Sequence, residues 1–211
     1  MKARIASFAV LFAALAASAT AQIRQGTVEF NPYAGYLFGG NFGDTQVDFT
    51  PYRLAVDDDA IYGGRLGFNF NSLLELEFEY GYDKTSLILD SDSSFVPPQF
   101  IGDLTLQYYM GWGTFNFGHG RLVPYFTIGS GVANLKPSIS GVETVSDTRY
   151  TAGIGGGIKY FFDPHFALRF DGRAYSTYLG TSTVLCGPYT FCEVSNWLTN
   201  GGFNGGFIVA F

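Results

Sequence analysis

The sequence predicts an all-β protein, an eight-stranded antiparallel up-and-down transmembrane β-barrel with a polar, side-chain-filled lumen. Three observations predict it. Apolar and polar residues alternate with a period of two along most of the chain, and beyond the N-terminal segment no run of 18 apolar residues occurs. The segments between the alternating stretches are by turns short and long, as in a meander of antiparallel strands.

The composition narrows the classes of protein to which the chain can belong. It has 211 residues, of which 47% are hydrophobic and only 14% charged, so disorder is excluded. The net charge is −6 and no basic cluster occurs, so we expect no nucleic-acid partner. Aromatic residues make up 18% of the chain, which is unusual for a water-exposed surface and favours one that faces a bilayer.

The N-terminal segment is typical of an export signal. Lys2 and Arg4 precede an apolar stretch at 5–17, and small residues follow at Ala19 and Ala21. We therefore predict a cleaved signal peptide at 1–21 and a barrel domain at 22–211. A membrane anchor is the alternative, but the stretch is shorter than the ~20 apolar residues that a spanning helix needs.

Strand 74–83 shows the period most clearly. Every even position carries Leu, Phe or Tyr, and every odd position is acidic or Gly. A helix would spread both classes around its circumference, so this pattern indicates a strand with one apolar and one acidic face. The segment 166–175 repeats the design, with Phe166 and Phe170 on one face and Arg169 and Asp171 on the other.

The same alternation predicts eight strands, at 27–40, 58–70, 72–83, 103–117, 121–134, 148–162, 165–179 and 196–211. Every second connection is long, at 41–57, 84–102, 135–147 and 180–195. Transmembrane barrels have short turns on the periplasmic side and long loops on the outside, so we expect four outer loops. Their apolar residues, such as Phe49, Leu87, Ile88 and Phe95, indicate either surface contacts or strands that continue beyond the membrane.

The alternate strand positions that carry charged residues must face the lumen. Hydrocarbon leaves no partner for an open sheet edge, so strands can cross only as a closed barrel, and eight strands leave an interior that side chains fill. A soluble lipocalin-like barrel would have apolar residues inside and charges outside, and is disfavoured for that reason. We predict a buried network of salt bridges in the lumen, formed by Glu29, Arg65, Glu75, Glu77, Glu79, Lys159, Arg169, Asp171 and Arg173.

Aromatic residues near strand ends predict two interfacial girdles, where amphipathic rings sit at the level of the lipid headgroups. Ordinary core aromatics are the alternative. The residues assigned to the girdles are Tyr36, Tyr82, Trp112, Tyr160 and Trp197.

The two cysteines lie six residues apart in a turn-rich segment. An exported chain favours a disulfide between Cys186 and Cys192. A two-thiol metal site is the competing interpretation, but no His or third Cys lies near in sequence to complete it.

Several motifs resemble those of a known family. Val123-Pro124-Tyr125-Phe126 leads into Gly129-Ser130-Gly131, a Gly-rich strand follows at 153–160, and the chain ends on Phe211. With the signal peptide and the alternating strands, the chain resembles the small outer-membrane β-barrel proteins of Gram-negative bacteria, of the OmpX and OmpA transmembrane-domain type. The resemblance implies contact with outer-membrane lipid and lipopolysaccharide, and a role for Phe211 as the signal read by the barrel-assembly machinery.

No motif predicts catalysis or a cofactor. Gly153–Gly157 departs from the dinucleotide-binding spacing, because Ile158 stands where the last glycine would be and no helical pattern follows. The two histidines, His119 and His165, lie in predicted short turns, and Ser195 has no histidine near it in sequence. The spacing of the acidic residues in the outer loops fits no EF-hand loop, so we expect no metal site. The placement of the histidines leads us to expect no enzymatic activity.

The sequence therefore predicts a monomeric membrane protein without cofactor. Its expected role is structural, or an adhesion-like interaction with a surface partner through the four outer loops. A small pore or passive transporter is the alternative, and it requires a continuous polar gap that a filled lumen denies. A soluble lipocalin-like binding barrel is the third hypothesis.

Overall fold

The structure is a computed structural model that describes residues 23–47, 50–91, 99–118, 120–138, 146–180, 183–187, 190–193 and 197–211. The signal peptide predicted at 1–21, His119 and Ser195 lie outside these residues and stay predictions. No helix in the described ranges is long and apolar enough to cross a membrane. The strands are β1 (Val28–Phe38), β2 (Asn41–Val47), β3 (Thr50–Val56), β4 (Asp59–Asn69), β5 (Leu74–Ser91), β6 (Gln99–Asn116), β7 (Leu122–Ser138), β8 (Asp147–Asp163), β9 (Phe166–Tyr178), β10 (Thr183–Gly187), β11 (Thr190–Glu193) and β12 (Trp197–Ala210).

Eight of these strands form a closed antiparallel barrel. The ring runs β1, β4, β5, β6, β7, β8, β9 and β12, and the first and last members pair from Glu29↔Ala210 to Phe38↔Gly201. The pairing of β5 with β6 leaves no sheet edge in the ring. Closure satisfies the backbone hydrogen bonds of every barrel strand internally, which a chain in hydrocarbon requires. The predicted fold class is confirmed.

The strands extend well beyond their predicted ends on the side of the long loops. Both β5 and β6 have 18 residues, and they stay paired as far as Leu89↔Gln99. The sequence predicted that β5 would end at 83 and that β6 would begin at 103. Leu87 and Ile88 therefore lie in a strand. The segment 41–57, predicted as a loop, contains the hairpin β2–β3, which pairs with the extension of β5 through Tyr52↔Ser91. Antiparallel ladders continue wherever backbone groups find partners, whether or not lipid imposes an alternating pattern.

The two faces of the barrel wall differ sharply. In β5, Glu79 is fully buried while the adjacent Phe78 is 55% exposed. The same alternation runs through β1 and β9, where the charged residues point inside and Phe30, Phe166 and Phe170 point outside. Because neighbouring residues of a strand point to opposite faces, one parity lines the lumen and the other forms the apolar outer surface.

The lumen has two zones along the barrel axis. Charged residues occupy the middle and the end with the short turns. Towards the long loops the lining becomes apolar, with Leu37, Ile61, Leu104, Leu106, Met110, Ala133 and Leu198 in one buried cluster. A small apolar cluster closes the short-turn end, where Ile23 packs with Val123, Phe161, Ala167 and Ile208.

Candidate functional site

The candidate site is the charge network of the lumen, formed by four cations and five carboxylates. They come from β1, β4, β5, β8 and β9, at positions whose parity points inward. Each is no more than 5% exposed. The structure brings together all nine residues that the sequence assigned to the lumen: Glu29, Arg65, Glu75, Glu77, Glu79, Lys159, Arg169, Asp171 and Arg173.

Lys159 forms the part of the network nearest the short turns. Its Nζ lies 2.7 Å from Glu29 Oε2 and 2.6 Å from Glu75 Oε2, so one ammonium group joins β8 to β1 and β5. Asn69 Nδ2 donates to Glu29 Oε1 at 2.8 Å, and Asn116 Nδ2 donates to Glu75 Oε2 at 3.3 Å. The Asn69 amide therefore satisfies the second oxygen of the Glu29 carboxylate, while the Asn116 amide shares Glu75 Oε2 with Lys159.

Two arginines of β9 reach across the lumen to β5. Arg169 Nη2 lies 3.0 Å from Glu77 Oε1, and Arg173 Nη2 lies 3.1 Å from Glu77 Oε2. Arg173 also contacts Glu79 through Nη1, 2.9 Å from Oε2. Each guanidinium offers several donors in a rigid plane, which lets it serve two carboxylates at once.

Arg65 completes the network from β4. Its Nε lies 3.0 Å from Glu79 Oε1, and its Nη1 lies 3.0 Å from Asp171 Oδ2. Asp171 in turn accepts from Arg173 Nε at 3.1 Å. The contacts therefore form two sets, one around Lys159 and one around the three arginines, and in both sets each charge has a partner of opposite sign.

Aromatic rings pack against the guanidinium groups. The Arg65 guanidinium lies 3.8 Å from the Tyr33 ring centroid, and that of Arg169 lies 4.5 Å from the Tyr125 centroid. Arg169 Nε also donates to Tyr125 Oη at 2.7 Å. These cation–π contacts add attraction in a site from which water is largely excluded.

Trp112 belongs to this luminal set, and its assignment to an interfacial girdle is wrong. It is only 2% exposed, its Nε1 donates to Glu79 Oε2 at 2.6 Å, and its ring lies 4.3 Å from the Arg173 guanidinium. In β6 the even positions point inward, and Trp112 shares that parity with Met110 and Thr114. The alternation of inward and outward positions along β6 could have placed Trp112 in the lumen. The sequence analysis relied instead on its position near a strand end.

The glycines of the Gly-rich strand make room for these bulky luminal groups. A Cβ at Gly153 would lie 2.6 Å from Trp112 Cη2, and one at Gly155 would lie 2.9 Å from Arg173 Cγ. A Cβ at Gly157 would lie 2.7 Å from Asp171 Cβ. The run is therefore a packing feature of β8, in agreement with the rejection of a dinucleotide loop.

The other residues that the sequence assigned are five aromatic residues on the outer surface and two cysteines whose side chains are not among those described. Tyr36, Tyr160 and Trp197 are on the outer surface, and Tyr82 has the same parity. Phe211 is 72% exposed, and its backbone N–H donates to Val28 O at 2.9 Å. Cys186 and Cys192 fall in the hairpin β10–β11, whose backbone pairs through Val184↔Cys192, but their side chains lie outside the described part of the structure. The disulfide therefore stays a prediction.

The histidine in the described region has a structural contact. His165 Nδ1 lies 2.9 Å from Ala210 O, in the turn beside the end of the last strand. Among the described residues, no three His, Cys, Asp or Glu side chains are grouped as ligands of a metal ion would be.

Comparison with known proteins decides the family. Residues 7–210 match the family model described as the outer membrane protein beta-barrel domain. The chain belongs to this outer membrane β-barrel family. Its members are outer-membrane proteins of Gram-negative bacteria, so the location in the outer membrane follows from family and fold together. The resemblance to the OmpX and OmpA type is confirmed at this level.

Solved barrels share the architecture at low sequence identity. OprG from Pseudomonas aeruginosa is 12% identical over 90% of this chain and 99% of its own, with a TM-score of 0.64. Neisserial surface protein A is 15% identical over 89% and 98% of the two chains, with a TM-score of 0.57. AlkL in lipid bilayers is 14% identical over 92% and 94%, with a TM-score of 0.53. No curated protein sequence matches the chain.

Proposed function

We propose that the protein is a closed, non-conducting outer-membrane barrel with a structural or adhesion-like role, exerted through its long loops at the cell surface. The observation that carries this proposal is the luminal network. Lys159, Arg169 and Arg173 on one side of the lumen are bound directly to carboxylates on the other. With no free passage through the middle, the surfaces available for function are the outer wall and the loops.

A pore is the less favoured function because an ion could pass through the lumen only by disrupting buried ion pairs. An ion would have to pass Glu77 and Glu79, each of which is held by two arginines. Removing one partner from a buried charge pair typically costs about 3–5 kcal/mol, since the remaining charge stays desolvated. The apolar cluster around Ile23 adds a second closure at the short-turn end.

We include no catalytic step and no cofactor in the proposal. The buried carboxylates and guanidinium groups that could act as acid, base or electrophile are each engaged with an opposite charge. Active sites keep such groups accessible to a substrate. A monomer suffices for this role, because the barrel closes within one chain.

Conductance across a planar bilayer tests the closed lumen. Purified, detergent-folded protein should insert without discrete current steps, whereas Arg169→Met should introduce them by leaving a gap beside Glu77. Arg121→Gln, at an exposed position in a short turn, is the matched control that removes a charge outside the network. Reproducible steps from the unaltered protein, widened by Arg169→Met, would replace this proposal with the pore.

A cell-attachment assay tests the loops. The segment 92–98, which contains Phe95 and Val96, is replaced by a Gly-Ser sequence of equal length, and adherence of the bacteria to cultured-cell monolayers is measured. An adhesion-like role predicts reduced attachment at equal surface expression. Unchanged attachment in this variant and in matching replacements of the other three loops would leave only the structural role.

A further inference from the structure

The pairing between the first and the last barrel strand is interrupted inside the wall. The register of β1 with β12 runs as far as Phe30↔Val209 and resumes at Tyr33↔Gly206, so two consecutive residue pairs are missing. On their other sides both strands stay in continuous register at this level, β1 with β4 and β12 with β9. The interruption is therefore confined to the contact between β1 and β12, which we call the closing seam.

Pro32 explains the interruption. In an antiparallel pair, alternate residues exchange both backbone hydrogen bonds with the residue opposite. Val28 and Phe211 exchange both bonds across the closing seam. Pro32 lies four residues further along β1, so it falls at the same kind of position, opposite Phe207. Proline has no backbone N–H and cannot supply the hydrogen bond that Phe207 O would accept there.

A side chain supplies the missing donor. Asn31 Nδ2 donates to Phe207 O at 3.1 Å from the luminal side of the wall. The rings of Phe30 and Phe207 beside this carbonyl are exposed on the outer surface, so the carbonyl lies in the part of the wall that faces lipid. Lipid offers no water to replace a lost donor. A Cβ at Gly206 would meet both Asn31 Nδ2 and Pro32 O, so a glycine at this position gives the amide its room.

The same amide has a second acceptor on its own strand. Asn31 Nδ2 lies 3.3 Å from Pro32 O as well as 3.1 Å from Phe207 O. An amide that turned wholly to Pro32 O would stay hydrogen-bonded, while Phe207 O would lose its donor. A backbone N–H has no such freedom, because the planar peptide group fixes its direction. The closing seam is thus held at this point by a group that has two positions.

The luminal charge network holds the amide from the other side. Asn31 Oδ1 accepts from Arg65 Nη1 at 3.3 Å, and Arg65 lies opposite Asn31 on β4. The same Nη1 lies 3.0 Å from Asp171 Oδ2, so Arg65 keeps a charged partner when the amide moves. Release of the amide from Phe207 O therefore leaves the ion pairs of the lumen intact.

We propose that Asn31 is a latch on the closing seam, and that the barrel wall opens first at this point. With the amide on Phe207 O, the wall is closed. With the amide on Pro32 O, β1 and β12 separate locally between their two paired stretches. The wall thus has a point of local opening that a single side chain controls.

Hydrogen exchange of backbone amides, measured by NMR on the full chain folded in phospholipid nanodiscs, tests the latch. The amides of Ala34 and Val209, on either side of the interruption, report the closing seam, and those of β6 and β7 report the rest of the barrel. Asn31→Leu keeps the size of the side chain and removes the donor. Exchange at Ala34 and Val209 should then rise about five- to tenfold, as the net contribution of one hydrogen bond implies, and stay unchanged in β6 and β7.

Pro32→Ala tests whether the amide replaces the donor that proline lacks. The alanine restores a backbone N–H opposite Phe207, so the latch becomes unnecessary. Exchange at the closing seam should be slower in Pro32→Ala than in the unaltered protein. Adding Asn31→Leu to this variant should have no further effect. Such a rescue distinguishes a latch from a side chain that only fills space.

Two matched controls lie elsewhere in the barrel. Pro124→Ala removes a proline from β7, where Pro124↔Ile158 belongs to a continuous register. Asn204→Leu removes a buried luminal amide that donates to a side chain, with Nδ2 3.4 Å from Asp171 Oδ1. Neither substitution should change exchange at the closing seam.

Three results would overturn the latch. Exchange that rises equally in all strands of Asn31→Leu would indicate only a general loss of stability. Unchanged exchange in Asn31→Leu would show that the amide does not hold the seam. An effect of Asn31→Leu that is equally large beside Pro32→Ala would show that the amide does not stand in for the missing backbone donor.

Discussion

Arg173 on β9 and Glu79 on β5 meet across the barrel lumen, with Nη1 2.9 Å from Oε2 and both side chains fully buried. The two residues are 94 positions apart in sequence. The Trp112 indole contacts both, through a hydrogen bond to Glu79 and a ring face turned to Arg173. Such a pair joins opposite walls of the barrel, and its geometry depends on the partners that surround it.

Arg173→Met should strongly destabilise the barrel. The substitution leaves Glu77, Glu79 and Asp171 with one cation fewer in a site that water does not reach. Breaking a buried ion pair from one side costs about 3–5 kcal/mol. Urea unfolding in lipid bilayers measures the change, with Lys84→Met as the exposed control, for which about 1 kcal/mol or less is expected. A change as small as the control would mean that the network adds little to stability.

Gly153→Val should impair folding through a clash with Trp112. A Cβ at this position comes within 2.6 Å of Cη2 and also within 2.8 Å of Ala174 O. Trp112→Leu should relieve the first clash but not the second, so the double variant should recover part of the folded yield. The folded yield of each variant is measured as the amount of heat-modifiable protein in gels. Independent effects of the two substitutions would argue against their contact.

The two tryptophans should respond differently to lipid. Trp197 is on the outer surface and Trp112 is buried in the lumen. Brominated acyl chains quench fluorescence on contact, so they should strongly quench Trp112→Phe protein, which retains Trp197. The Trp197→Phe protein should be quenched weakly. Equal quenching of the two variants would mean that Trp112 faces lipid, as its position near a strand end suggested.

Asp83 should make stability depend on pH. It follows Tyr82 at the outer end of the spanning part of β5, and burial, with Asp59 adding to it, raises the pKa of its carboxyl to about 7. The pKa in an unfolded chain is about 3.9, so the folded state holds this proton more tightly. The resulting stability is fully present below pH ~3.9 and is lost as pH rises through about 7.

Asp83→Asn isolates this effect. The variant should be more stable than the unaltered protein at a pH of about 8.5, and the difference should shrink steadily towards a pH of about 4. Urea midpoints at several pH values measure it, and Asp103→Asn, an exposed carboxyl on β6, serves as the control. A difference that does not vary with pH would show that Asp83 titrates normally.

Phe211→Ala should slow assembly more than it lowers stability, on the proposal that the terminal aromatic is the assembly signal. Its ring is exposed, and its backbone hydrogen bond to Val28 does not depend on the side chain. Folded protein in the outer membrane should fall, while refolding in detergent stays unchanged. Phe207→Ala, an outward ring earlier in β12, is the matched control. Equal losses for both would indicate only lost lipid contact.

The local pattern of the sequence was enough for the barrel itself. Alternation in 74–83 and 166–175 identifies two-faced strands, and hydrocarbon permits such strands only in a closed barrel. The inward parity then follows from charge, because residues such as Glu77 and Arg169 cannot face lipid. These inferences need only the neighbours of each residue along the chain, which is why the strand set and the luminal residues could be predicted.

Pairing across the barrel was decided only by the tertiary structure. Which carboxylate meets Arg65, the place of Trp112 in the lumen and the apolar outer half of the lumen all depend on the register between strands. The pairing of Gly111 with Ser130 on the neighbouring strand likewise exists only when the strands are aligned side by side. Register is a property of the whole closed ring, so the sequence by itself determined which face each residue occupies, and the fold decided what that residue meets.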